Sequence, residues 1–251
     1  CGSHEVRSLG TGTEKLEDDL RLSFPEAEVQ RLDLDTTRKK NAFQRIISAF
    51  QEGATDILVG TQMVTKGLDF GNVGLVGIIN ADMALHFPDF RSHERAFQLL
   101  AQVSGRAGRQ GDRGKVMIQT AEPYHPVIRK VMEHRYEDFY REEMIERRKF
   151  RYPPEVKLIR IGTKHRDRDH LLERSRELGR MLRQGFGERI LGPEFPLTAR
   201  LRNYYHMQLM LKLESKVSLQ KAKNRLLQIT ADFERSYPRK RIFISFDIDP
   251  Y

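Results

Sequence analysis

Gln102-Val103-Ser104-Gly105-Arg106-Ala107-Gly108-Arg109 sets two arginines three residues apart, each directly after a glycine. A guanidinium stays charged at any physiological pH. Its paired N–H donors match the oxygens of a phosphate, which a lysine cannot reproduce. The glycines leave room for a ligand beside the two forks. Such a pair can neutralise charge developing on a transferred phosphoryl group, where one arginine finger is worth roughly 10³–10⁵ in rate. A basic helix end complementing the helix dipole also places arginines here, but it does not explain the Gln-x-x-Gly-Arg-x-Gly-Arg arrangement. A second segment, Gly60-Thr61-Gln62-Met63-Val64-Thr65-Lys66-Gly67-Leu68-Asp69-Phe70, mixes glycines with hydroxyl, amide, ammonium and carboxylate groups. Backbone N–H groups and threonine hydroxyls suit phosphate oxygens. The same composition fits an ordinary polar loop, because glycine-rich loops are common.

These segments need a scaffold, and the surrounding pattern supplies one. Leu16, Leu20 and Phe24 recur at four-residue spacing behind Thr13, an expected N-cap, and Pro25 stops that helix. Val29 and Leu32 mark a short strand. Phe43, Ile46, Ile47 and Phe50 form the stripe of an amphipathic helix closed by Gly53. Asp56 to Gly60 and Val73 to Ile79 read as strands, the first buried on both faces. A helix over 92–104 puts Phe97, Leu100 and Ala101 on one face, and Val116 and Ile118 mark a further strand. Alternating strands and helices predict an α/β domain with a mainly parallel sheet over residues 1–130. In such sheets ligands bind in the loops at the carboxyl ends of strands, and the loop from Gly60 directly follows one.

The 251 residues suit two modest domains, and 39% hydrophobic with 31% charged content allows packed cores. The longest apolar runs are only a few residues, as in Val76 to Ile79, so no membrane span or signal peptide is expected. One cysteine, Cys1, excludes an internal disulfide framework and fits a reducing cytoplasm. Residues 1–130 hold 17 basic and 17 acidic groups, whereas residues 131–251 hold 27 and 18. The whole excess of +9 therefore sits in the second half, as expected for a polyanion partner; a solubilising surface fits the same numbers.

That second half reads as a charged helical bridge over 131–155, with Val131, Tyr136, Phe139 and Tyr140 as contact residues, ended by Pro153-Pro154. Beyond it, strands near Val156, Ile190, Tyr205–Leu213 and Ile242–Ile248 alternate with helix stripes at Leu171–Leu182 and Leu219–Phe233. The order β-α-β-β-α-β predicts a ferredoxin-like, split βαβ α+β domain over 156–251. Arg200, Arg202 and Tyr204 interleave cations with an aromatic, as nucleic-acid contacts do. Tyr205 shares the apolar face and belongs to the core.

The two glycine-bearing segments resemble motifs V and VI of superfamily 2 helicases, in the order and approximate spacing of the second RecA-like lobe. Gly10–Glu14, Arg31–Arg38, Asp56–Met63, Asn80-Ala81-Asp82, Pro88–Arg91, Glu94–Leu100, Leu191-Gly192-Pro193 and Asp247–Pro250 resemble the primosomal protein N′ (PriA) family of replication-restart DNA helicases. The resemblance covers nearly the whole chain. It implies a RecA-like helicase lobe, the bridge and a DNA-binding C-terminal domain of a 3′–5′ translocating enzyme that uses ATP with Mg. Arg106 and Arg109 would reach the ATP γ-phosphate, with Arg109 as the finger and Gln102 in support. Gly67 and Asp69 would lie near nucleotide, and Thr61, Gln62 and Thr65 near the DNA backbone. Branched and single-stranded DNA, single-stranded-DNA-binding protein and other primosome proteins are the implied partners, in the cytoplasm. Cys1 resembles the last cysteine of the family's zinc-binding insertion, although one thiol is not a zinc site.

The chain departs from the full family pattern. It contains neither a Gly-x-x-x-x-Gly-Lys-Ser/Thr phosphate loop nor an Asp-Glu-x-His box for magnesium. It therefore looks like a C-terminal portion that holds half of an ATP site. The competing expectation is a non-catalytic nucleic-acid-binding or scaffold module with a ferredoxin-like domain, which has no need of the paired arginines.

Overall fold

Leu16 and Leu20 are half-buried along α1 (Thr13–Ser23), as the four-residue spacing requires. The cap differs from expectation. Gly12 occupies the N-cap in extended backbone, and Thr13 is the first helical residue. The Thr13 hydroxyl donates to the Asp33 carboxylate at 2.8 Å, and hydrogen bonds to an ionised acceptor are roughly twice as strong as neutral ones. The computed structural model describes residues 12–38, 41–61, 73–105, 114–238 and 241–250. The chain divides into two compact units, residues 1–140 and 141–251.

In the first unit, β1 (Val29–Leu32) pairs in parallel with β2 (Ile57–Gly60), and the intervening α2 (Ala42–Gln51) packs on them. Leu32 and Ile47 are buried among Phe43, Ile46, Phe50, Leu58 and Val73. Val59 is buried, but Ile57 and Leu58 are only half-buried, so the expectation of burial on both faces is met in part. A second parallel pair joins β3 (Leu75–Ile78) to β4 (Lys115–Ile118). Between them lie α3 (Asp82–Leu85) and α4 (Ser92–Ser104). After β4 come α5 (Pro126–Met132) and α6 (Tyr136–Phe150). The boundary between the units falls inside α6, within the segment read as a bridge. Ala96, Phe97 and Leu100 bury against Leu85, Ile128, Val131 and Phe139. The Phe97 and Phe139 rings stack with centroids 4.3 Å apart. Tyr136 and Tyr140, expected as contact residues, are exposed at 58% and 53%.

The second unit is an antiparallel sheet with helices on one face. Its elements are β5 (Val156–His165), α7 (Arg168–Phe186), β6 (Ile190–Glu194), β7 (Arg200–Leu201), β8 (Tyr204–Glu214), α8 (Leu219–Ser236) and β9 (Phe243–Ile248). The strand order β6-β8-β5-β9 is that of a split βαβ sandwich, with the short β7 added beside β8. Asp167 and Ser218 cap α7 and α8 by accepting from the backbone N–H groups of His170 and Lys221. Ile159, Ile161, Leu209 and Leu211 meet Leu171, Leu178, Leu182, Leu226 and Phe233 in one core. Tyr205 packs against its edge. The last strand begins one residue later than expected. Ile242 is buried ahead of it, while Phe246 and Ile248 stay 38% and 39% exposed because β9 is an edge strand. Among the described residues no helix is long and apolar enough to cross a membrane.

Leu178 is fully buried between helix and sheet. Leu178→Ala is expected to lower unfolding stability by about 2–5 kcal/mol, read from the urea midpoint. A loss below about 1 kcal/mol would contradict this packing.

Candidate nucleic-acid interface

The parallel register Leu32↔Gly60 brings the carboxyl ends of β1 and β2 to one edge. From β1 the chain enters a loop organised by Asp33. One oxygen of its carboxylate accepts from the backbone N–H of Asp35 at 3.0 Å and of Thr36 at 2.9 Å, and the other accepts from Thr13. The Thr36 hydroxyl in turn accepts from the Asp33 N–H at 3.0 Å. Burial alone would raise the Asp33 pKa. The hydrogen bonds from Thr36 and Thr13, the charge of Arg31 and the Asp35 N–H outweigh it and hold the carboxyl below its ordinary value. A charged pin thus fixes the loop and leaves Leu34, Asp35 and Arg38 exposed. From β2 the chain continues into exposed Thr61. Gln62, Thr65, Gly67 and Asp69 lie outside the described residues, as does Cys1.

The second strand pair is closed the same way. Asp82 accepts from the Thr120 hydroxyl at 2.5 Å and from the Ala121 N–H at 2.9 Å. Ala81 N–H donates to the Gln119 carbonyl, and the Asn80 N–H to the Gln119 side chain. Asn80-Ala81-Asp82 therefore ties together the carboxyl ends of β3 and β4. The Thr120 hydroxyl, followed by the Ala121 N–H, lowers the Asp82 pKa. Asp89 then accepts from the Arg91 N–H at 3.0 Å and pairs with Arg95 at 2.9 Å, which orients the start of α4. Phe97, Leu100 and Val103 bury one face of α4. Gln102 is exposed on another, and Gly105 ends the helix with its N–H on the Ala101 carbonyl. Arg106 and Arg109 follow at once, in residues outside those described. The three aspartates act as scaffolding that sequence reasoning did not assign. Their signal was position, since Asp33 and Asp82 lie within a few residues of a strand end and Asp89 just before a helix.

In the second unit Arg200, Arg202 and Tyr204 come together on the β7–β8 hairpin. Arg200 lies over the Tyr205 ring at 5.3 Å. Arg202 sits in the two-residue turn. Tyr204 stands on the helix-free face of the sheet, edge-on to Phe243 with centroids 6.0 Å apart. Lys164 lies 5.3 Å from both rings, and Arg166 5.5 Å from that of Tyr204. Lys164, Arg166 and Phe243 were not singled out from the sequence, because their proximity depends on the strand pairing.

Residues 7–111 match the family model of the helicase conserved C-terminal domain, and residues 148–251 that of the primosomal protein N C-terminal domain. The chain is 42% identical to replication restart protein PriA of Bacillus subtilis (strain 168), covering 100% of this chain and 31% of that protein. Identity to replication restart protein PriA of Synechocystis is 39%, over 100% of the chain and 29% of the relative. For that of Haemophilus influenzae it is 35%, over 100% and 34%. The chain spans about a third of the length of these curated relatives.

The Asp82 pin carries a pH signature. Its folded pKa is depressed, so its stabilisation is complete above the unfolded value, about pH 4, and is lost as pH falls through the folded pKa. The stability gap between the wild type and Asp82→Asn is expected to stay constant from pH 7 to 5 and to narrow below about pH 4. A gap that persists unchanged to pH 2 would contradict the pin.

Proposed function

The chain belongs to the PriA family, matching a C-terminal portion of its members, and on that premise we propose that it is the second motor lobe and DNA-binding C-terminal unit of a cytoplasmic, ATP-dependent 3′–5′ DNA helicase. The enzyme would restart replication at stalled or branched forks by unwinding DNA and loading the primosome, with single-stranded-DNA-binding protein among its partners. The observation that carries the reading is α4. Asp89 orients its start, an apolar face fixes its rotation, and its last turn carries Gln102 and ends at Gly105, after which the sequence continues Arg-x-Gly-Arg. A binding module has no use for the paired arginines that follow this helix in the sequence.

In this reading ATP with Mg supplies the phosphoryl transfer. Arg106 and Arg109 neutralise charge at the γ-phosphate, Arg109 as the finger, and Gln102 supports them. Gly67 and Asp69 border the nucleotide. Thr61, Gln62 and Thr65 hold the DNA backbone from the loop after β2, so that a change at the phosphate shifts the grip on the strand. Arg200, Arg202 and Tyr204 add DNA contacts from the second unit. Cys1 would contribute one thiolate to a zinc site completed by other ligands.

The chain contains no phosphate loop or magnesium box, so by itself it is expected to hydrolyse ATP negligibly, with or without branched DNA. Robust magnesium-dependent turnover by the purified chain would overturn the half-site reading. In a full-length family member carrying this segment, Arg109→Ala should lower turnover by roughly 10³–10⁵-fold. The scaffold alternative requires no loss.

A further inference from the structure

The cations of the second unit fall into two groups. Some are neutralised: Arg160 by Asp247, Arg180 by Glu177, Arg151 and Arg189 by Glu214, Arg235 by Asp232. Lys164, Arg166, Arg200 and Arg202 are exposed and have no carboxylate partner among the described residues. Three of the four lie over tyrosine or phenylalanine rings instead. A ring orients a cation without cancelling its charge. Lys164 and Arg166 sit around Tyr204 and Phe243, and Phe243 is 58% exposed.

The backbone adds an independent observation. Arg202 and Asn203 have φ of 48° and 65°, so the hairpin closes through a two-residue turn with both central residues left-handed. Such turns favour asparagine, aspartate or glycine. Arginine adopts that backbone at a cost, and the turn carries its charge at the tip of the hairpin.

Beside the rings an open pocket of about 250 Å³ is lined by Gly162, Thr198, His206 and Ser245 among others. That is just below the roughly 300–1,000 Å³ of small-molecule sites, a size for one heterocycle. Gly162 keeps it open, since a Cβ there would meet Ser245 Oγ at 2.8 Å. Hydroxyl and imidazole groups line it, as base edges require.

We propose that this face is a stacking platform for unpaired DNA. A base lies on the Phe243–Tyr204 ridge with its edge toward the pocket, and Lys164, Arg166 and Arg202 hold the flanking phosphates. The proposal rests on the DNA-helicase reading only for the class of ligand. Duplex recognition needs the cations but leaves the exposed ring and pocket without a role.

The test is fluorescence anisotropy of the full 251-residue chain with a labelled oligo-dT, an abasic oligonucleotide of equal length and a hairpin duplex. Wild type should prefer oligo-dT over the abasic strand by roughly 5- to 150-fold, the range for one stacked base, and Phe243→Ala should erase most of that preference. Arg202→Asn should weaken binding to both strands alike and reduce the log–log salt slope by about 0.7. It should also raise the thermal unfolding midpoint, because asparagine suits the left-handed turn. Equal affinity for oligo-dT and abasic strands, tighter binding of the duplex, or an unchanged preference in Phe243→Ala would overturn the platform while leaving the helicase reading intact. A wild-type chain that binds none of the three probes would overturn both.

Discussion

A carboxylate that accepts several hydrogen bonds at the end of a short parallel strand is the interaction on which the first unit depends. Parallel strands of four residues cannot fix long loops by their ladders alone, because each offers few inter-strand bonds. Asp33 and Asp82 make up the difference by gathering N–H and O–H donors from beyond their own strand ends. Both carboxyls are held below their ordinary pKa by those donors, so they are charged at neutral pH, where hydrogen bonding to them is strongest. The chain leaves β2 at Gly60 beside the β1 end that Asp33 pins.

The second unit solves a different problem. Its sheet buries one face under α7 and α8 and leaves most of the other to solvent. On that open face the ion pairing is uneven. Carboxylates neutralise Arg151, Arg160 and Arg189, while Lys164, Arg166 and Arg200 near the β7–β8 hairpin meet rings, as does Lys212 at the far end. Part of the net positive charge of the second half is therefore presented beside exposed rings on this face, where a polyanion can meet both.

Much of this was legible in the residues. Helical stripes such as Phe43–Phe50 and the run 92–104 became helices close to their expected bounds, because an amphipathic face needs no distant partner to be recognised. Strict alternation in 204–213 marked β8, and the order of elements foretold the sandwich. What sequence could not supply was non-local. Thr13 reads as a cap until Asp33, twenty residues on, takes its hydroxyl. Phe246 and Ile248 read as core until the sheet order makes β9 an edge. Tyr204 drew attention through its arginine neighbours, but Lys164 and Phe243 join it only through the register of three strands.

DNA is expected to meet the protein at two places, the loops leaving the pinned strand ends and the β7–β8 hairpin. Hydrogen exchange of the whole chain with and without oligo-dT tests that most directly. Added protection is expected in the segment following Gly60, in residues 199–206 and around Phe243, with the α7 and α8 cores unchanged. Protection confined to α7 and α8, or absent from both the loop and the hairpin under saturating DNA, would contradict it.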